Sequence, residues 1–172
     1  STALILNSII DYGSYIIGVR EIAINRDNPT ILNQKVNAIY GSKIMLLALV
    51  LIVFSILFLT IPFFSREKEL FFLSLIIVVG QCLNPAWFFQ GVESYKWISF
   101  INILSKALYL GAVFFFINKE SDYIYVNLFF GLGLLISSLI GFSWLIFHHQ
   151  IKISLSKLKK GKTIIIEEFS FS

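Results

Sequence analysis

Four windows of this chain each string together enough apolar residues to cross a hydrocarbon core about 30 Å thick, which takes about 20 residues of helix. They are roughly 37–62 (with IMLLALVLIVFSILFLTI), 70–90 (with LFFLSLIIVVGQCLNPAWFF), 97–117 (WISFINILSKALYLGAVFFFI) and 124–147 (IYVNLFFGLGLLISSLIGFSWLIF). A fifth window, 3–19, is shorter and more polar, and we count it as a further span. Lipid offers no hydrogen-bond partner to a backbone amide, so stretches of this kind must close their bonds internally as helix. The expected fold is therefore all-α: a polytopic integral membrane bundle of about five transmembrane helices over residues 1–150. Residues 151–172 change character, from IKISLSKLKKGK to TIIIEEFSFS, and read as a cytoplasmic or interfacial linker. Composition agrees, with 57% hydrophobic and 14% charged residues against about 25% charged in soluble domains.

The net charge of +4 is explained by topology. Lys and Arg collect on cytoplasmic loops. If segment 20–36 is cytoplasmic, that side holds Arg20, Arg26, Lys35, Lys43, Lys96, Lys152, Lys157, Lys159, Lys160 and Lys162, ten in all, against Arg66, Lys68 and Lys119, three, on the other. Lys106 is set aside as intramembrane. No soluble basic face exists on which nucleic acid could bind. The N-terminus carries no basic leader or cleavage motif of a signal peptide. A single cysteine, Cys82, excludes an internal disulfide framework and a multi-cysteine metal site. His148 and His149 are adjacent, point about 100° apart on a helix and make a poor chelate, so no metal and no cofactor is expected. Phosphate loops and nucleophile elbows are absent from the sequence.

Polar residues inside the spans carry the remaining information. Asn7, Asp11, Ser14 or Tyr15, and Gly18 recur at helical spacing and share a stripe. An acid such as Asp11 at depth either lines a watery cavity or makes a structural hydrogen bond to a neighbouring helix. Lys106 lies nine residues beyond Trp97, about 14 Å into a core of about 30 Å. It needs water, an anionic ligand or a buried partner, for which Asp11 is the candidate. Pro85 removes the backbone bond to residue 81 and predicts a kink. The freed carbonyl, with Gln81 and Asn84, either binds a hydroxylated substrate or is satisfied structurally. Trp87, Phe88, Phe89 and Trp97 fit an aromatic belt at the interface, and Gly91 a short turn into the next helix.

Two stretches, NPAWFFQGVESYKWISFINILSK (84–106) and DYGSYIIGVREIAINRDN (11–28), resemble the signatures of bacterial polysaccharide export proteins, the O-antigen flippases. These are members of the multidrug/oligosaccharidyl-lipid/polysaccharide exporter superfamily. The resemblance implies helices two to six of the N-terminal lobe of a MATE-like transporter in the bacterial inner membrane. It implies a flippase that moves undecaprenyl-diphosphate-linked oligosaccharide by alternating access, with a polysaccharide polymerase and a chain-length regulator as partners beside membrane lipids. Arg20 at the cytoplasmic mouth and Lys106 deeper would then meet the diphosphate, and Gln81, Asn84 and Gln90, with Tyr12 and Tyr15, the sugars. Arg20 with Glu21 as a loop ion pair is the competing reading. A drug or cation exporter of the same superfamily and a non-transporting truncated scaffold are the alternatives. An enzyme on the same lipid carrier needs a long periplasmic loop, whereas the outer loops here, FFSREKE and NKESDY, are too short.

Overall fold

A computed structural model describes residues 14–60 and 68–153, and every regular element among them is helical. The helices are α1 (Ser14–Asn25), α2 (Pro29–Thr60), α3 (Lys68–Leu83), α4 (Ala86–Gly91), α5 (Tyr95–Phe116) and α6 (Ile124–His148), with a 3-10 turn (Glu120–Tyr123) between the last two. Among the described residues, three stretches are long and apolar enough to cross a membrane: Pro29–Ile56, Tyr95–Phe116 and Ile124–His148. The 70–90 window forms a fourth apolar rod built from two pieces, α3 and α4. The 3–19 window lies mostly outside the described residues, and so do Asn7, Asp11 and Tyr12 with it. The architecture is a polytopic helical membrane bundle.

The bundle is tight where side chains are smallest, because small residues let backbones approach in a medium that gives helices no hydrophobic push toward each other. A Cβ added at Gly131 of α6 would lie 3.0 Å from the Ile77 nitrogen of α3, and one at Gly80 of α3 would lie 3.0 Å from the Leu135 nitrogen of α6. A Cβ at Gly133 would lie 2.7 Å from the Ser105 carbonyl of α5. α6 is thus the central helix, held between α3 and α5 at near-backbone contact. α1 packs on α2 and α4, and α2 also reaches α3.

One end of the bundle gathers the ends of α1, α4 and α6 with the starts of α2 and α5. There Arg26 pairs with Glu93 at 3.1 Å and Lys35 with Glu21 at 2.6 Å, and Asn37 Nδ2 donates to the Lys152 carbonyl at 2.9 Å. Segments 20–36, 91–96 and 149–153 share this end, the set that the positive-inside argument puts on one side. The main cluster of buried residues also sits here: Ile22, Leu32, Val36, Ile39, Tyr40, Trp87, Phe88, Phe89, Ile101, Leu145 and Ile151. Ile151 is 3% exposed, so the packed core extends past the boundary expected at residue 150. Residues 154–172 lie outside the described residues.

Candidate functional site

The break after α3 follows from Pro85, which has no N–H to donate. The chain turns within Leu83–Ala86 and resumes as α4 with Pro85 as its N-cap. The kink is real, but its carbonyl is not free. Gln81 O accepts the Asn84 N–H at 3.1 Å, and the buried Asn84 turns its Oδ1 to the Ala86 N–H at 3.0 Å. Asn84 thereby replaces the hydrogen bond that the proline removes, an Asx-type turn. Tyr40 of α2 donates its hydroxyl to the Leu83 carbonyl at 3.3 Å. The break is closed by protein groups, as the structural reading of the kink requires.

The aromatic belt is corrected. Trp87, Phe88 and Phe89 are fully enclosed, each 0% exposed, and Trp97 is half-buried. Trp87 meets Tyr40 edge-on at 5.4 Å, and Phe89 stacks on Trp97 at 5.9 Å. Trp97 lies 4.4 Å from Trp144. These rings are packing anchors between helices, because α4 is a single short helix wedged among α1, α5 and α6 and all its faces are covered. Gly91 ends α4 at the short turn into α5. A Cβ there would come within 2.6 Å of the Ile22 Cβ and 3.0 Å of the Val19 carbonyl, so its small size seats α1 on α4. The left-handed residue of the turn is Glu93, with φ 59°.

α1 meets α4 through the described part of the polar stripe. Gly18 leaves space for Trp87, whose Cε3 would lie 3.0 Å from an added Cβ, and Tyr15 donates its hydroxyl to Gln90 Oε1. Gln90 is therefore engaged by α1, and Tyr15 and Gly18 face α4. Glu21 pairs across to Lys35 of α2, not to Arg20. Arg20 is exposed and makes no ion pair among the described residues.

One lysine differs from expectation. Lys43 was grouped with the cytoplasmic loop charges, but it is 1% exposed within α2, an enclosed position among packed helices. Leaving it out of the loop tally gives nine against three, the same sign. Lys106 occupies the middle of α5 as expected, on its outer face and exposed, while Asp11, the candidate for a buried pair with it, lies outside the described residues. From mid-helix the stem of a lysine cannot carry its ammonium to the headgroups. Ser99 and Asn102, also exposed, precede Lys106 by seven and four residues and share its helix face. The sequence reading passed over them, although their spacing was visible. At the basic end, His148 stacks on Trp144 at 4.2 Å and His149 meets Phe88 at 4.8 Å. Burial, reinforced by the neighbouring His148, lowers the affinity of His149 for its proton.

The fold and these side chains define a polytopic helical membrane protein with enclosed aromatic anchors. Comparison with known proteins narrows this. The family described as "Polysaccharide biosynthesis protein" matches residues 1–172, and the chain belongs to that family. The "Putative O-antigen transporter" of Escherichia coli (strain K12) is 28% identical over 122 residues, covering 71% of this chain and 29% of the relative. The chain thus spans under a third of that relative's length. No solved structure matches it significantly.

Proposed function

We propose that this chain forms part of a flippase that carries an undecaprenyl-diphosphate-linked oligosaccharide across the bacterial inner membrane by alternating access, with the basic end in the cytoplasm. Family membership supports the polysaccharide branch. The observation that carries the reading is Lys106: an ammonium at mid-depth on an outer helix face, where an anionic group or water must meet it. A diphosphate supplies that anion through charge-assisted hydrogen bonds.

Arg20 at the cytoplasmic rim is the entry cation. Asp11 contributes to the same passage or to proton coupling. Gln81, Asn84 and Gln90 belong to the scaffold of the passage more than to its wall, since Asn84 and Gln90 already spend hydrogen-bonding capacity on Ala86 and Tyr15. The covalent chemistry of glycan assembly lies with partner enzymes such as the polymerase, while this protein moves the substrate unchanged.

The test replaces Lys106 in the full-length protein, in cells that depend on it for surface polysaccharide. Lys106→Ala should lower surface polysaccharide at least tenfold with protein abundance in the membrane unchanged, and Lys106→Arg should retain most of it. Normal polysaccharide in the Ala variant defeats the reading.

A further inference from the structure

A row of rings crosses the seam between α5 and α6 at the basic end of the bundle. Phe100 of α5 meets Trp97 edge-on at 5.5 Å, Trp97 lies 4.4 Å from Trp144 of α6, and Trp144 stacks on His148 at 4.2 Å. The two ends of the row, Phe100 and His148, are exposed, and the two indoles between them are half-buried. The row therefore lies at the surface, unlike the enclosed Trp87, Phe88 and Phe89. Indoles with one side open settle at the level of lipid headgroups.

Apolar surface continues inward from the row on both helices. On α5, Lys96, Phe100, Ile103 and Ala107 follow one another at steps of four, three and four residues and form one exposed stripe. From Lys96 to Ala107 the helix rises about 16 Å, close to half of a hydrocarbon core about 30 Å thick, so the stripe runs through one leaflet. On α6, Ile140 and Phe147 stand one turn to either side of Trp144 and share its face; both are exposed, Phe147 to 82%. The surface thus repeats the order of groups in a lipid: charge at one level, rings beneath it, then aliphatic side chains.

The charge at its head is positive and uncompensated. Glu93, the acid closest to Lys96 in sequence, is held by Arg26 at 3.1 Å, and Lys96 makes no ion pair among the described residues. His148 has a ring N–H to donate whether neutral or charged. The far end of the same helix pair is different. Phe114 is open there too, at 80%, but in the loop beyond, NKESDY, Lys119 is offset by Glu120 and Asp122. Lipid can lie against either end, and only the basic end discriminates by headgroup charge. A zwitterionic headgroup brings its own cation toward Lys96, whereas an anionic one brings none.

We infer that this flank of α5 and α6 is a docking surface for an anionic phospholipid of the bilayer. Lys96 and His148 take the headgroup phosphate, the edges of Trp97 and Trp144 take the glycerol region, and an acyl chain runs along Phe100, Ile103 and Ala107. The site stands on the rings and the charges alone and owes nothing to the transport reading above.

The experiment reconstitutes the full-length protein in phosphatidylcholine vesicles doped with a photoreactive lipid, either phosphatidylglycerol or phosphatidylcholine, each with its reactive carbon early in one acyl chain. Labelled peptides are then mapped by mass spectrometry. Peptides covering 95–107 and 140–148 should take about fivefold more label from the phosphatidylglycerol probe, the preference that a single basic side chain near the surface confers. Peptides covering 110–117 should take equal label from both probes. Lys96 is exposed, so its replacement leaves the packing intact. Lys96→Gln should remove most of the preference, Lys96→Arg should keep it, and high salt should shrink it. Equal labelling of the Lys96 flank by the two probes, or a preference indifferent to Lys96→Gln, overturns the site. If undecaprenyl diphosphate displaces the phosphatidylglycerol probe at a lower mole fraction than unlabelled phosphatidylglycerol does, the occupant is a polyprenyl carrier and the phospholipid is overturned.

Discussion

Replacing Gly133 of α6 with alanine tests whether the bundle is held by near-backbone contact. The new Cβ would lie 2.7 Å from the Ser105 carbonyl oxygen and 3.3 Å from the Tyr109 nitrogen. An ordinary carbon–oxygen contact needs roughly 3.4 Å, so about 0.7 Å must be found, and the obstructing atom is helix backbone that no rotamer change can move. Retreat is also blocked. On its other side α6 carries Gly131, already 3.0 Å (measured to an added Cβ) from the Ile77 nitrogen of α3. Overpacking of this kind costs about 1–3 kcal/mol, and the rigid obstruction argues for the upper half of that range. Alanine recovers at most about 1 kcal/mol of helix propensity over glycine. The net expectation for Gly133→Ala is a loss of about 1–2 kcal/mol. Gly111 on α5 is the control, since an added Cβ there meets nothing within 4 Å, and Gly111→Ala should be neutral or stabilise by up to about 1 kcal/mol. Thermal unfolding of the purified protein in mild detergent, followed by circular dichroism, should rank Gly111→Ala highest, then wild type, then Gly133→Ala. A Gly133→Ala protein as stable as Gly111→Ala would refute the picture of α6 pinned between two backbones.

Glu93 sits at φ 59°, a conformation that costs a non-glycine residue roughly 1–2 kcal/mol, and its ion pair with Arg26 has partners 45% and 66% exposed and contributes about 0–1 kcal/mol. Strain outweighs attraction, so Glu93→Gly should raise the unfolding midpoint slightly and Glu93→Val should lower it, and a clear loss of stability in the glycine variant would reverse that ranking. His149 holds its proton less well than an ordinary histidine because burial and then His148 disfavour its charged form. The folded protein therefore keeps its full stability above the usual histidine pKa and loses some as pH falls through the lowered value. Melting in detergent between neutral and mildly acidic pH should show this loss in wild type and a smaller one in His149→Phe, and equal losses in both would contradict it.

What was legible in the sequence was whatever depends on covalent chemistry or on run length. Pro85 lacks an N–H in any environment, so the break between α3 and α4 could be placed to the residue, and the long apolar runs could only be helices. What could not be seen was which neighbour covers a residue. An aromatic ring beneath three helices and a ring at the headgroups have the same letters around them, which is why Trp87, Phe88 and Phe89 looked like a belt. Gly91 stands both at a short turn and at a close approach of two helices, and the letter G discloses only the first. Lys43 adjoins a basic loop in sequence yet is enclosed in the fold, because α2, at 32 residues, continues well beyond the thickness of a bilayer core. The depth of Lys106 followed from counting residues, whereas its outward direction needed α6 in place on the opposite side. Ser99 and Asn102 were within reach of the same counting and were missed because a serine and an asparagine draw less attention than a charge.

The chain leaving α6 is not slack. Asn37, 0% exposed, donates to the Lys152 carbonyl at 2.9 Å. With its amide oxygen turned toward the Lys152 nitrogen, Asn33 accepts from that nitrogen at 3.0 Å and donates to the same carbonyl at 3.1 Å. Both grips are on main-chain atoms, so they tolerate any side chain at that position. The main chain at Lys152 is consequently fastened to the foot of α2, so the segment just after α6 and the helix that carries Lys43 move in mechanical step.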